Sequence, residues 1–111
     1  MSITILEALQ GMVRHFDPEA ARGLNVIIQM NISGDTGGIH QIKIANGQAE
    51  LLAQPTATPT MTLNVAAKDW LDISAGKLDG VKAFMTGKLK VDGDMGLLMK
   101  FPKLFKRTND R

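Results

Sequence analysis

The spacing of apolar residues changes along the chain, and each change marks a different kind of element. Residues 3–16 carry apolar side chains at helical spacing, and Thr4 with Glu7 three positions later matches a capping box, so this segment is predicted to be a helix. A short helix is predicted over 18–23. Residues 24–33 then alternate apolar and polar positions, which is the period of a strand with one buried face.

The same alternation recurs downstream and predicts four more strands, at 39–45, 48–53, 60–65 and 88–91. Asn46-Gly47 lies between the second and third of the five strands and is a strong hairpin signal. We therefore predict an α+β fold with a five-stranded, mostly antiparallel sheet that runs largely as a meander.

Helical spacing returns at 66–76, at 79–86 and from Met95 to about Arg107. Pro102 is expected to kink or divide the last helix, because proline cannot donate to the carbonyl of Leu98. Seven large apolar residues lie in this segment: Met95, Leu97, Leu98, Met99, Phe101, Leu104 and Phe105. That number exceeds a minimal apolar stripe, so the helix either closes a packed core or covers a cavity.

Composition favours one soluble domain over residues 1–111 and a cytoplasmic location. Apolar residues make up 44% of the chain, and no apolar run approaches the roughly 20 residues of a membrane span. The absence of cysteine excludes disulfides and thiolate chemistry. Residues 88–111 hold 7 basic and 3 acidic side chains, a local charge of +4, which indicates either an anionic partner or a solvated helix face.

Catalytic and nucleic-acid-binding patterns are weak throughout. His15 and His40 have no spacing that pairs them as metal ligands. Asp69 and Asp72 share a helical face, but two carboxylates near a helix N-terminus are more often partners of the helix dipole than an acid–base pair. The basic segment lacks interleaved stacking aromatics. We therefore predict no enzyme activity, no catalytic residue, no metal, no cofactor and no nucleic acid.

The run from Phe84 to Lys100, FMTGKLKVDGDMGLLMK, resembles the C-terminal signature of the sterol carrier protein type-2 family. That signature is a Gly-Lys strand followed by a Met-rich helix. The segments 60–65, 69–73 and 76–79 are similar to the family as well, and so is 20–24. The resemblance thus covers nearly the whole chain.

The resemblance implies helices packed on one face of the five-stranded sheet, enclosing an apolar tunnel. It implies non-enzymatic binding and intracellular transfer of a lipid ligand: a fatty acid, acyl-CoA, sterol or isoprenoid. Family domains also occur as tails of peroxisomal enzymes and in accessory factors of quinone synthesis. With neither a fused enzyme nor a peroxisomal address in the sequence, we expect a stand-alone protein. The alternative is an interaction or scaffold module that has lost ligand binding.

The expected lipid-binding residues are apolar residues of the second half of the chain. For each of them the alternative is a purely structural role in the packed core. They are Trp70, Ile73, Phe84, Met85, Leu97, Leu98, Phe101 and Leu104. Three lysines of the last segment are expected to meet a lipid head group or an anionic membrane: Lys100, Lys103 and Lys106. The oligomeric state is left open.

Overall fold

A computed structural model describes residues 4–34 and 37–105, with four helices and five strands in those ranges. The helices are α1 (Ile5–Arg14), α2 (Ala67–Ser74), α3 (Gly80–Met85) and α4 (Met95–Leu104). The strands are β1 (Asn25–Ser33), β2 (Gly38–Ala45), β3 (Gln48–Leu51), β4 (Met61–Ala66) and β5 (Leu89–Gly93).

The strands form one sheet in the order β3-β2-β1-β4-β5. Three of the four pairings are antiparallel, but β1 and β4 pair in parallel. The predicted α+β fold with a five-stranded, mostly antiparallel sheet is confirmed, whereas the predicted meander is wrong. Turn signals such as Asn46-Gly47 identify hairpins between strands that are adjacent in sequence. They carry no information on a strand that returns to a distant neighbour.

The segment 52–60 makes the crossover that brings β4 beside β1. It crosses three strand positions, about 14 Å at the usual strand spacing, and nine extended residues reach about 30 Å. Hydrogen bonds fix its far end, because Thr60 N donates to Ile27 O at 2.7 Å and Ile27 N donates to Thr60 Oγ1 at 3.1 Å. This connection, which contains Pro55 and Pro59, therefore sets the topology of the sheet.

One face of the sheet is apolar in all five strands and carries the helices. The pairing register places its residues opposite one another, so that Ile28 faces Ile42 and Met61. The fully or nearly buried members on this face are Ile28, Met30, Ile32, Ile42, Ile44, Met61, Leu63, Val65 and Leu89. They share one core cluster with the buried residues of the helices. We call this the inner face and the opposite side the outer face.

Helix caps follow the sequence closely. In α1 the capping box is complete, because Glu7 N donates to Thr4 Oγ1 at 3.1 Å and Thr4 N donates to Glu7 Oε1 at 2.8 Å. Asp79 caps α3 and Asp94 caps α4. At the β2–β3 hairpin, Asn46 and Gly47 have φ values of 55° and 72°, as the favoured two-residue hairpin turn requires.

Two helix predictions differ from the structure: the short helix over 18–23 is wrong, and of the kink or division expected at Pro102, the division is wrong. Residues 18–23 form successive turns in place of a helix, because the backbone hydrogen bonds here close over three residues in place of four, with Leu24 N donating to Ala21 O at 2.9 Å. Helix α4 is not divided at position 102 and ends at Leu104. Burial of Leu98, Phe101 and Leu104 along one side holds the helix together across the proline.

Candidate functional site

A cavity of about 670 Å³ lies between the inner face and the helices. Its apolar lining comes from α1, β4, α2, the α2–α3 connection, α3, β5 and α4: Met12, Leu63, Trp70, Ile73, Leu78, Val81, Leu89, Leu98, Phe101 and Phe105. The volume falls within the usual range of small-molecule sites, and such sites are largely apolar with few polar groups. The described residues therefore leave a partly open space beside the core that is large enough for a ligand. The predicted tunnel stays a prediction.

Polar lining is concentrated in four charged residues at the rim. Asp17 and Glu19 come from the turn after α1, Asp79 caps α3, and Lys103 lies on the exposed side of α4. The Asp17 carboxylate accepts from the backbone N–H of Glu19 at 3.0 Å. Arg22 pairs with Glu19 at 2.6 Å. The charged lining residues are thus three carboxylates and one lysine, and at least the carboxylate of Glu19 is balanced by a neighbouring cation.

Trp70 is the one tryptophan of the chain, and it lines this cavity with 1% of its surface exposed. Its ring contacts Phe101, with ring centroids 6.2 Å apart. Among the described residues, its Nε1 is the one buried side-chain nitrogen or oxygen that has no hydrogen-bond partner. Buried tryptophan N–H groups normally find an acceptor, so Trp70 Nε1 is an unusual unmatched donor within the described residues.

The eight expected lipid-binding residues divide into two groups. Trp70, Ile73, Leu98 and Phe101 line the cavity. The other four do not: Leu97 and Leu104 are buried in the core, Phe84 packs at its edge, and Met85 is 76% exposed. The ligand-binding role of all eight stays a prediction.

Sequence reasoning missed the cavity residues of α1, of the turn after it and of β4. Met12 belongs to the apolar positions of α1, and Leu63 lies in the predicted strand 60–65. The sequence therefore indicated only that both side chains are buried in the core. For Asp17 the sequence indicated only a role as a helix cap. Nothing in the sequence placed these residues beside α4, because the contact depends on the long-range packing of α1 and β4.

Lys100 and Lys103 are both exposed on α4, and Lys103 reaches the cavity rim. Lys106 lies outside the described residues. Met95 and Met99, four positions apart on α4, are 41% and 61% exposed. Large exposed methionines beside lysines form an amphipathic patch, which we call the α4 patch: Met95, Met99, Lys100 and Lys103.

The outer face is polar, and its side-chain amides form a continuous hydrogen-bonded row. Gln41 Nε2 donates to Gln29 Oε1 at 2.8 Å, Gln29 Nε2 to Asn31 Oδ1 at 2.9 Å, and Asn31 Nδ2 to Asn64 Oδ1 at 3.0 Å. Gln41 also binds the crossover, donating to Ala57 O at 2.7 Å and accepting from Ala57 N at 3.1 Å. Gln41 is fully buried under this loop, with both ends of its amide bonded.

Within residues 4–34 and 37–105, no three His, Asp or Glu side chains group as metal ligands. Helices long and apolar enough to cross a membrane are absent from the same ranges. His40 is partly buried, and burial lowers its pKa from the ordinary value because it disfavours the charged imidazole.

Comparison with known proteins gives the same family over the whole described core. A profile of the SCP-2 sterol transfer family matches residues 7–106. The chain is 29% identical over 104 residues to hydroxysteroid dehydrogenase-like protein 2 of Xenopus laevis, covering 93% of this chain and 25% of that protein. It is 32% identical over 102 residues to peroxisomal multifunctional enzyme A of Dictyostelium discoideum, covering 90% of this chain and 23% of that protein.

The chain thus spans about a quarter of the length of these curated relatives. Among solved structures, sterol carrier protein 2 like 2 from Aedes aegypti superposes with a TM-score of 0.62 at 27% identity. That match covers 89% of this chain and 91% of the Aedes chain. The likeness therefore extends over nearly all of a protein of similar size.

Proposed function

Because the chain belongs to the SCP-2 sterol transfer family, we propose that it is a non-enzymatic carrier that binds a lipid in the cavity and transfers it within the cytoplasm. The observation that carries the proposal is the apolar cavity of about 670 Å³ between sheet and helices. Each ligand methylene that leaves water contributes about 0.8 kcal/mol. A fatty-acyl, sterol-like or isoprenoid ligand therefore binds through burial alone, without a catalytic group.

Filling the cavity tests this proposal. Ala20 lines the cavity, so Ala20→Phe places a ring inside it. Displacing about three ligand methylenes costs roughly 2.4 kcal/mol, which weakens binding of a fluorescent 16-carbon acyl probe about 50-fold. Ala53→Phe is the matched control, because Ala53 is exposed and does not line the cavity.

The control should bind the probe like the unmodified chain, and native mass spectrometry after gentle purification should show a co-bound lipid. An unmodified chain that takes up no fatty acid, sterol or isoprenoid alcohol would refute the carrier proposal.

The α4 patch supports transient contact with an anionic membrane during transfer. Near an anionic surface each lysine contributes about 1 kcal/mol, so Lys100→Gln should lower binding to phosphatidylserine-containing vesicles about fivefold. Lys43→Gln, on the outer face, is the control and should leave vesicle binding unchanged. Equal losses in both variants would assign the binding to net charge alone.

A second candidate function is an accessory module of a lipid-metabolising assembly. It is favoured by the match to segments of much longer enzymes, of which this chain spans about a quarter. A stable protein partner that is captured equally by the lipid-loaded and the delipidated chain would support this function over transfer.

A further inference from the structure

The apolar residues of α4 are of two chemical kinds, and the two kinds lie on different sides of the helix. Among the side chains of α4 that the structure describes, the exposed large apolar ones are both methionines, Met95 and Met99. The buried ones are leucines and a phenylalanine: Leu97, Leu98, Phe101 and Leu104. Both thioether sulfurs of the helix therefore belong to side chains that solvent reaches.

The same side of α4 carries the lysines of the α4 patch. Met95, Met99 and Lys103 follow one another at intervals of four residues, so they lie along one side of the helix. Lys100 is exposed next to Met99 in the chain. Apolar side chains flanked by ammonium groups suit the boundary between anionic head groups and acyl chains. In the membrane contact proposed above, the methionines supply the apolar part of the attraction and the lysines the electrostatic part.

A peroxide changes the apolar part and leaves the electrostatic part unchanged. The lone pair of a thioether sulfur attacks one oxygen of hydrogen peroxide, an S–O bond forms as the O–O bond breaks, and the other oxygen leaves as water. The sulfur is oxidised to a sulfoxide, the peroxide is reduced, and the side chain stays uncharged. A sulfoxide is polar, so burying it among acyl chains no longer gains free energy.

We propose that Met95 and Met99 are modification sites, at which conversion of both thioethers to sulfoxides by a peroxide switches off membrane contact. This inference rests on the membrane contact of the proposed carrier function and adds its regulation. A weaker attraction through Lys100 and Lys103 remains after oxidation, because both keep their charge. Ligand uptake is unaffected, since Met12, the methionine that lines the cavity, is buried.

Treating the full chain with hydrogen peroxide tests the proposal, and mass spectrometry of its peptides reports the oxygen added at each methionine. Once Met95 and Met99 are oxidised, binding to phosphatidylserine-containing vesicles should fall about tenfold, as expected when two partly inserted side chains lose their apolar contribution. Binding of a fluorescent 16-carbon acyl probe and the circular dichroism spectrum should stay unchanged in the same sample. A methionine sulfoxide reductase should restore vesicle binding.

Leucine variants separate the two sites from other methionines. The double variant Met95→Leu/Met99→Leu keeps two apolar side chains without sulfur, so it should bind vesicles before peroxide and keep that binding afterwards. Met85→Leu is the matched control, because Met85 is 76% exposed at the end of α3 and does not belong to the α4 patch. The control should lose vesicle binding on oxidation like the unmodified chain.

The outcomes separate this inference from the proposals on which it rests. Vesicle binding that survives complete oxidation of Met95 and Met99 would overturn the inference and leave the membrane contact intact. An equal peroxide effect in the double leucine variant, protection by Met85→Leu, or a simultaneous loss of the acyl probe would overturn it as well. An unmodified chain that binds no anionic vesicle would overturn the inference together with the membrane contact.

Discussion

The two faces of the sheet each bury one polar side chain completely, and they differ in how they satisfy it. On the outer face, Gln41 has partners for both ends of its amide, in Gln29 and the backbone of Ala57. On the inner side, Trp70 Nε1 has none among the described residues, and an open volume adjoins its side chain. The buried side chain of the outer face is thus fully hydrogen-bonded by protein groups, whereas the indole N–H on the inner side is buried with no acceptor among the described residues.

The contrast has a physical basis in what covers each face. A loop covers Gln41, and a loop brings backbone N–H and C=O groups that pair with a side-chain amide. Helices cover the inner face, and their backbone groups are already used within the helix. Apolar side chains such as Phe101 therefore contact Trp70, and they offer its N–H no acceptor.

The largest expected effect separates the packed core from the cavity wall within one helix. Leu104 is fully buried away from the cavity, whereas Leu98, equally buried, lines it. Leu104→Ala should lower the free energy of unfolding by about 4 kcal/mol, and Leu98→Ala by about 2.5 kcal/mol, since the latter enlarges a space that already exists. Urea unfolding followed by far-UV circular dichroism measures both. Equal losses would mean that the space beside Leu98 is closed in solution.

The next effect concerns the outer face. Gln41→Leu keeps a similar volume and strips the partners from Ala57 and Gln29, so it should cost about 2 kcal/mol. Gln54→Leu, an exposed glutamine of the same crossover, should change stability by less than about 0.5 kcal/mol. Urea unfolding of the two variants gives the comparison. If Gln41→Leu left the free energy of unfolding unchanged, water would have to reach the backbone of Ala57, and the loop would not exclude solvent from this face.

The smallest effect depends on pH. Burial lowers the pKa of His40 in the folded chain below its unfolded value near 6.5, so the folded state prefers the neutral ring. This contribution to stability is complete above about pH 6.5 and is lost as the pH falls through the lowered folded pKa. The midpoint of urea unfolding should thus decline slightly on acidification. His40→Gln should flatten the curve over that interval, and an unchanged slope would exclude His40 as the cause.

The sequence was sufficient for the local features of the fold. Period-two alternation located all five strands, and the capping box of Thr4 and Glu7 marked the start of α1, which the structure confirms. Local rules did not predict the parallel β1–β4 pair, because it depends on a crossover whose hydrogen bonds join Ile27 to Thr60. Pairing between strands that are distant in sequence depends on how complete sheet and helix faces pack together. A short stretch of sequence does not contain that information.

The candidate site was predictable only in part, for a related reason. Apolar residues at helical spacing have the same pattern in the sequence whether they fill a core or border a cavity. The sequence therefore did not distinguish Leu98, which lines the cavity, from Leu104, which does not. The acidic lining residues, Asp17, Glu19 and Asp79, come from the turn after α1 and the start of α3, which are far apart in sequence. Trp70 was identifiable as the one tryptophan of the sequence. That its N–H has no acceptor among the described residues depends on the side chains packed around it, which the sequence does not show.

The contact between Phe16 and Phe105 has a consequence for biosynthesis. The two residues form a β-bridge with ring centroids 5.8 Å apart, and Asp17 N donates to Leu104 O at 2.8 Å beside them. This joins segments from opposite ends of the described chain, and contacts of such long sequence separation form slowly. A ribosome-bound chain can pair β1, β2 and β3 early, yet the cavity wall stays incomplete until residue 105 has left the exit channel, because Phe105 lines the cavity. Under the proposed carrier function, a lipid is therefore loaded only after this part of the chain has been released.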